Sequence, residues 1–124
     1  MTHEKDYTPS GSELAAATMA ALECLEWSEV TEEGEPLDSL GLYFDETSRA
    51  LIAAEIADFI SANSDDLDGL DYSQIGHDFI LTRNGHGAGF WDRGLGERGE
   101  RLTAACKPYG NVTAFELDGA LRAE

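Results

Sequence analysis

His77-Asp78-Phe79-Ile80-Leu81-Thr82-Arg83-Asn84-Gly85-His86-Gly87-Ala88-Gly89-Phe90-Trp91-Asp92-Arg93 is the stretch on which the fold reading turns. Residues 77–83 form a short apolar run bounded by turn residues, which reads as a strand. Asn84-Gly85 is a strong hairpin signal, because both residues tolerate positive φ. Ala88-Gly89-Phe90-Trp91-Asp92-Arg93 then supplies the returning strand. Further on, Val112 to Leu117 reads as a strand, Asp118-Gly119 as a second tight turn and Ala120-Leu121-Arg122 as a last short strand.

Outward from this stretch the period is helical. Ser10-Gly11-Ser12-Glu13 has the spacing of a capping box, and Leu14, Thr18, Ala21, Leu22 and Leu25 follow on one stripe over about 11–27. Asp45 is placed to cap a second helix over about 46–62, with Leu51, Ile52, Ile56, Phe59 and Ile60 on its apolar face. Leu67 and Leu70 fit a short turn against the core. A third helix is expected over 95–107, with Leu95, Leu102, Ala105 and Cys106 inward and Gly99 weakening its middle. Residues 28–44 read as an acidic loop with a short extended piece at Leu40-Leu42-Phe44. The fold class expected is α+β: a single domain with a small antiparallel sheet of three to five strands and two or three helices packed on one face. Residues 1–10 read as a polar arm. Residues 11–124 read as the domain, acidic and helical over 11–71 and hairpin-built over 72–124.

Charge narrows the function. The 124 residues carry 25 Asp and Glu against 8 Lys and Arg, a formal net charge of −17. A chain so acidic does not work by neutralising phosphates, nor by docking on an anionic membrane. Its start, Met1 to Asp6, lacks the basic region and apolar stretch of a signal peptide, and two cysteines are too few for a disulfide scaffold. The expected compartment is a reducing cytoplasm. The excess is lopsided: residues 1–71 hold eighteen acids and two basic residues, net −16, while 72–124 hold seven and six, net −1.

The motifs that carry chemistry are weak. Ser64-x-Asp66-x-Asp68-Gly69 has the start of a calcium loop, but its first position is Ser64 and its twelfth is Ile75, where a bidentate Glu is needed. His77, Asp78, His86 and Asp92 fall close together without the ligand spacing of a metal site. Gly85-x-Gly87-x-Gly89 is followed by an expected strand, whereas phosphate binding needs a helix amino terminus. Cys24 sits between Glu23 and Glu26, neighbours that raise a thiol pKa, and Cys106 reads as a small core residue. No cofactor and no metal are expected, and an enzyme using His77 and Asp78 as acid and base is the least supported reading.

Carboxylates on successive helical turns lie about 5–6 Å apart, near the phosphate spacing of a nucleic-acid strand. Glu23, Glu26, Glu29, Glu32, Glu33, Glu35 and Asp38 are read as one such row, and Glu55, Asp58, Asp65, Asp66 and Asp68 as another. The bland alternatives are a solvated face and salt adaptation, the latter matched by only two lysines, Lys5 and Lys107. Salt adaptation should acidify the whole surface, and the near-balance over 72–124 favours a partner instead. The expectation is a non-enzymatic nucleic-acid mimic that enters a basic groove of a protein partner, with a homodimer as a further option. The alternative is a binding module that uses the hairpin, with Arg83, His86, Trp91 and Arg93 as its surface.

The stretch from Gly76 to Arg93 resembles the signature of a family of small proteins encoded by tailed bacteriophages, in which the hairpin reads much like HDFWLTRNGHGAGFWDR. Ile80 stands where that family often has Trp, and the likeness covers about residues 75–110. The resemblance implies a phage accessory protein acting in the cytoplasm of an infected bacterium. By analogy with small acidic phage proteins it implies an inhibitor of host defence, anti-CRISPR in the leading case and anti-restriction or uracil-glycosylase inhibition as variants.

Overall fold

A computed structural model describes residues 9–124; the arm expected over 1–10 lies outside the described residues as far as residue 8. Helix α1 (Gly11–Ser28) starts where its cap dictates. The Ser10 hydroxyl accepts from the Glu13 N–H at 3.1 Å and the Glu13 carboxylate accepts from the Ser10 N–H at 2.8 Å, the reciprocal pair of a capping box. A turn follows, closed by an antiparallel bridge between Val30 and Pro36 and continued by a 3-10 turn at Leu37–Leu40. Asp45 caps α2 (Glu46–Ala62) through the Ser48 N–H at 2.8 Å. The short α3 (Ser64–Leu67) tucks Leu67 inward. Asp71 then caps α4 (Tyr72–Asn84) through the Gln74 N–H at 3.1 Å. After a loop with a 3-10 turn at Phe90–Asp92 come α5 (Glu97–Cys106) and a further turn at Lys107–Tyr109. Strands β1 (Ala114–Leu117) and β2 (Ala120–Ala123) end the chain as an antiparallel pair.

The expected α+β architecture is therefore corrected: the described residues are mainly helical, and their one sheet has two strands, not three to five with helices on one face. The error lies in residues 77–93. Residues 77–83 are helix, and 88–93 are loop and 3-10 turn. Asn84-Gly85 is the end of α4, with Gly85 left-handed at φ 65°; its N–H reaches the Thr82 carbonyl at 3.4 Å and the His86 N–H reaches Leu81 at 3.2 Å. Positive φ serves a Schellman helix end as well as a hairpin. The periodicity also misleads, because α4 is buried on nearly every side: Ile75, Gly76, Asp78, Phe79, Ile80, Leu81 and Arg83 are all inside. A helix without a solvent face loses its 3.6-residue period, and a short run then looks like a strand.

The terminal hairpin is as expected. Asp118 (φ 54°) and Gly119 (φ 85°) both take positive φ between Leu117 and Ala120. Its outer edge touches Tyr43–Asp45 through a single parallel bridge, Phe44 with Leu121, all that remains of the extended piece expected at Leu40-Leu42-Phe44. The pair sits against α2, where the Ala123 N–H donates to the buried Ser48 hydroxyl at 2.9 Å.

α4 is the central element, and α1 lies along it. A Cβ added to Gly76 would sit 1.9 Å from the Ala17 carbonyl oxygen, so the two backbones approach as closely as glycine permits. Behind them, the Phe59 ring lies tilted against Phe79 (4.6 Å) and stacked on Phe90 (5.6 Å), and Tyr109 meets both Phe59 and Phe79 edge-on. Gly99, expected only as a weak point of α5, lies against the Phe90 carbonyl, which an added Cβ would meet at 2.7 Å. Leu51, expected inward on α2, is 39% exposed.

Candidate functional site

The 77–93 stretch is tied inward almost residue by residue. Asp78, 1% exposed, accepts two bonds from Arg93 Nε (3.2 and 3.0 Å), one from Arg93 Nη2 (2.7 Å) and one from Gln74 Nε2 (2.9 Å). Those bonds raise the guanidinium pKa of Arg93 above its ordinary value. Arg83 is buried and donates to Glu55 (2.7 Å) and to the carbonyls of Gly110 (2.8 Å) and Tyr109 (3.0 Å), with its guanidinium over the Phe79 ring at 5.0 Å. Asn84 clasps Val112 through both amide groups, at 3.1 and 2.7 Å. Thr82 accepts from the Phe90 N–H at 3.1 Å, and Gly89 leaves room for that hydroxyl. His86 pairs with Glu29 at 3.0 Å. Of the four residues read as an alternative surface, Arg83, His86 and Arg93 are thus engaged internally. Trp91, 52% exposed, faces outward.

In the second acidic row some carboxylates are paired within the fold and others are exposed. Glu55 pairs with Arg83 at 2.7 Å. Asp58 accepts from the Tyr109 hydroxyl, and burial together with that carboxylate pushes the phenol pKa up. Asp66 accepts from Arg101 at 2.9 and 2.7 Å, which holds its carboxyl below the usual range. Arg98 donates to the Asp68 backbone carbonyl at 3.0 Å, and the Asp65 side chain is exposed. Arginines of the balanced half therefore pair with two of the five carboxylates, Glu55 and Asp66.

The residues of the first row lie on the second half of α1 and the turn after it. Glu29 is taken by His86, but Glu23, Glu32, Glu33, Glu35 and Asp38 are exposed and Glu26 is half-buried. The loop over 30–36 is closed on itself by Thr31 N–H to Glu35 O (2.8 Å) and tied to the end of α1 by Leu37 N–H to Glu29 O (3.0 Å), and Asp38 comes close enough to Glu26 to act on its carboxyl. Burial, then Glu23 and Asp38, raise the Glu26 carboxyl pKa. The last turn of α1 contains no basic residue, and carboxylates there meet the negative end of the helix dipole. The cluster is held against both effects.

Beside it lies a feature the sequence reading missed, an open cleft of about 330 Å³ between the second half of α1 and the first turns of α4. Trp27, 50% exposed, forms one wall and lies 5.5 Å from the His77 ring. Glu23 and Asp71 flank it. The available signal was register: Met19, Glu23 and Trp27 recur every four residues on the side of α1 away from its apolar stripe, and Met19 and Trp27 are exposed where a solvated face would be polar.

Other chemistry has little support. Cys24 and Cys106 are buried, and burial pushes both thiols up to about 12. Among the described residues, no group of three or more His, Cys, Asp or Glu side chains is placed to hold a metal ion, and no helix is long and apolar enough to cross a membrane. No protein-family model, curated protein or solved structure matches the chain.

Proposed function

We propose that the chain is a non-enzymatic inhibitor that lays the acidic end of α1 and the turn after it into a basic nucleic-acid-binding groove of another protein. The observation that carries this reading is that Glu23, Glu26, Glu32, Glu33, Glu35 and Asp38 have no basic partner among the described residues, with Glu23 and Asp38 acting on Glu26, while Arg83 and Arg101 pair with acids elsewhere. Acidity serving solubility alone needs neither concentration nor placement at the wrong end of a helix dipole. The phage resemblance makes the host cytoplasm the site of action and a defence nuclease or glycosylase the target class, with an anti-CRISPR role leading. The 83–93 surface has less in its favour, since Arg83 is buried and His86 and Arg93, though exposed, are each paired with an acid of this chain, which leaves Trp91 as the one of the four outside such pairs.

The test is an immobilised chain exposed to a bacterial extract at low salt and eluted with a salt gradient. The reading expects nucleic-acid-binding proteins that elute near the salt at which they leave DNA, and loss of their capture when Glu32, Glu33 and Asp38 are all changed to Lys. Capture unchanged by those reversals would overturn it, and capture lost only on Trp91→Ala would transfer the function to the 83–93 surface.

A further inference from the structure

We propose that the cleft between α1 and α4 receives an arginine side chain of the partner protein, an inference that deepens the acidic-surface reading and rests on it. Trp27, half-exposed and with its ring 5.5 Å from that of His77, supplies an indole on which a planar guanidinium can stack. Glu23 on α1 and Asp71 at the start of α4 place a carboxylate on either side. Asp71 accepts one backbone bond through Oδ2, which leaves its other oxygen for a ligand. Gln74 gives its amide nitrogen to Asp78, so its carbonyl oxygen is the group left to accept. Among the described residues no lysine or arginine lines the cleft and His77 is its one basic side chain, so an anion there would meet two carboxylates. At about 330 Å³ the space is at the small end of ligand sites, sized for one side chain. Guanidinium fits better than ammonium, because its flat fork can stack on the indole while donating to two carboxylates at once. Glu23 belongs to both cleft and acidic cluster, so an arginine seated here would fix the register of a basic groove that the cluster attracts over longer range.

The experiment is an NMR titration of the ¹⁵N-labelled full chain with Nα-acetyl-arginine amide, with the lysine and neutral citrulline analogues alongside. The expected result is a saturable shift of the Trp27 indole N–H and of Gln74 and His77, strongest for arginine, weaker for lysine and absent for citrulline. The indole of Trp91, the second of the chain's two tryptophans, should not move. Trp27→Ala should weaken binding about two- to fivefold, and Glu23→Gln about two- to threefold. Asp71→Asn keeps a good helix cap and should weaken binding similarly, which separates charge loss from unfolding. Equal shifts with citrulline, equal response at Trp91, or unchanged affinity in the Glu23 and Asp71 variants would overturn the proposal. No partner protein is present in this titration, so the cleft can fail while capture of nucleic-acid-binding proteins stands, and the reverse.

Discussion

Neutralising Glu26 should make the protein more stable and its complex weaker, and the size of the first effect follows from where Glu26 sits. It lies in the last turn of α1, three residues after Glu23 and near Asp38. Removing an anion from a helix carboxyl terminus is worth about 0.3–1 kcal/mol at an exposed site. Relieving an i,i+3 repulsion adds a few tenths of a kcal/mol. Together Glu26→Gln should stabilise by about 0.5–1.5 kcal/mol, or about 2–6 °C in Tm for a chain of this length. The pH dependence fixes the sign. A carboxyl whose folded pKa is raised penalises the folded state once ionised; the penalty is complete above the folded pKa and absent below the unfolded value of 4.5. The gain from Glu26→Gln should therefore appear at pH 7, shrink as pH falls through the raised pKa and vanish near 4, and it should also shrink in high salt. Thermal unfolding of the two proteins from pH 4 to 7 measures it. A variant less stable than the parent at pH 7, or a gain that persists at pH 4, would refute the electrostatic reasoning.

Three further outcomes test the packing. Arg93→Ala should destabilise by about 2–4 kcal/mol, because it strips the guanidinium from buried Asp78, with a discount for the partial exposure of Arg93; urea unfolding reports it. Gly76→Ala should destabilise by at least about 1–3 kcal/mol, since its methyl group would overlap the Ala17 carbonyl and push α1 off α4; a Tm within 1 °C of the parent, in the same scan, would contradict that close approach. Cys24 and Cys106 should resist a thiol reagent at pH 8 in the native protein and react at once in denaturant, because burial holds both thiols near 12.

What could be read from the sequence was local chemistry. Ser10 with Glu13, and Asp45 ahead of Ser48, mark helix starts within a few residues of themselves, and Asp118-Gly119 marks a turn in two. Asn84-Gly85 carries the same kind of mark for two structures, and the choice between them depends on burial. Once Ile75, Phe79, Ile80 and Leu81 are enclosed by α1 and by the Phe59 and Phe90 rings, helix wins over hairpin. Long-range pairing was not legible either. Arg83 meets Glu55 across 28 residues and Arg101 meets Asp66 across 35, so counting acids could not show which members of the second row the fold pairs. The acids over 23–38 are close in sequence, and the loop that carries the later ones is closed by the Val30–Pro36 bridge and tied to Glu29 at the end of α1.

Competition between this chain and nucleic acid for one captured protein probes the central claim most directly. With that protein on a labelled duplex or single strand, added chain should displace the nucleic acid, the apparent affinity should fall steeply as salt is raised, and reversal of Glu32, Glu33 and Asp38 to Lys should abolish displacement while reversal of Asp65 and Asp68 changes it little. Binding of chain and nucleic acid together, or displacement that ignores both salt and the 32–38 reversals, would contradict the account.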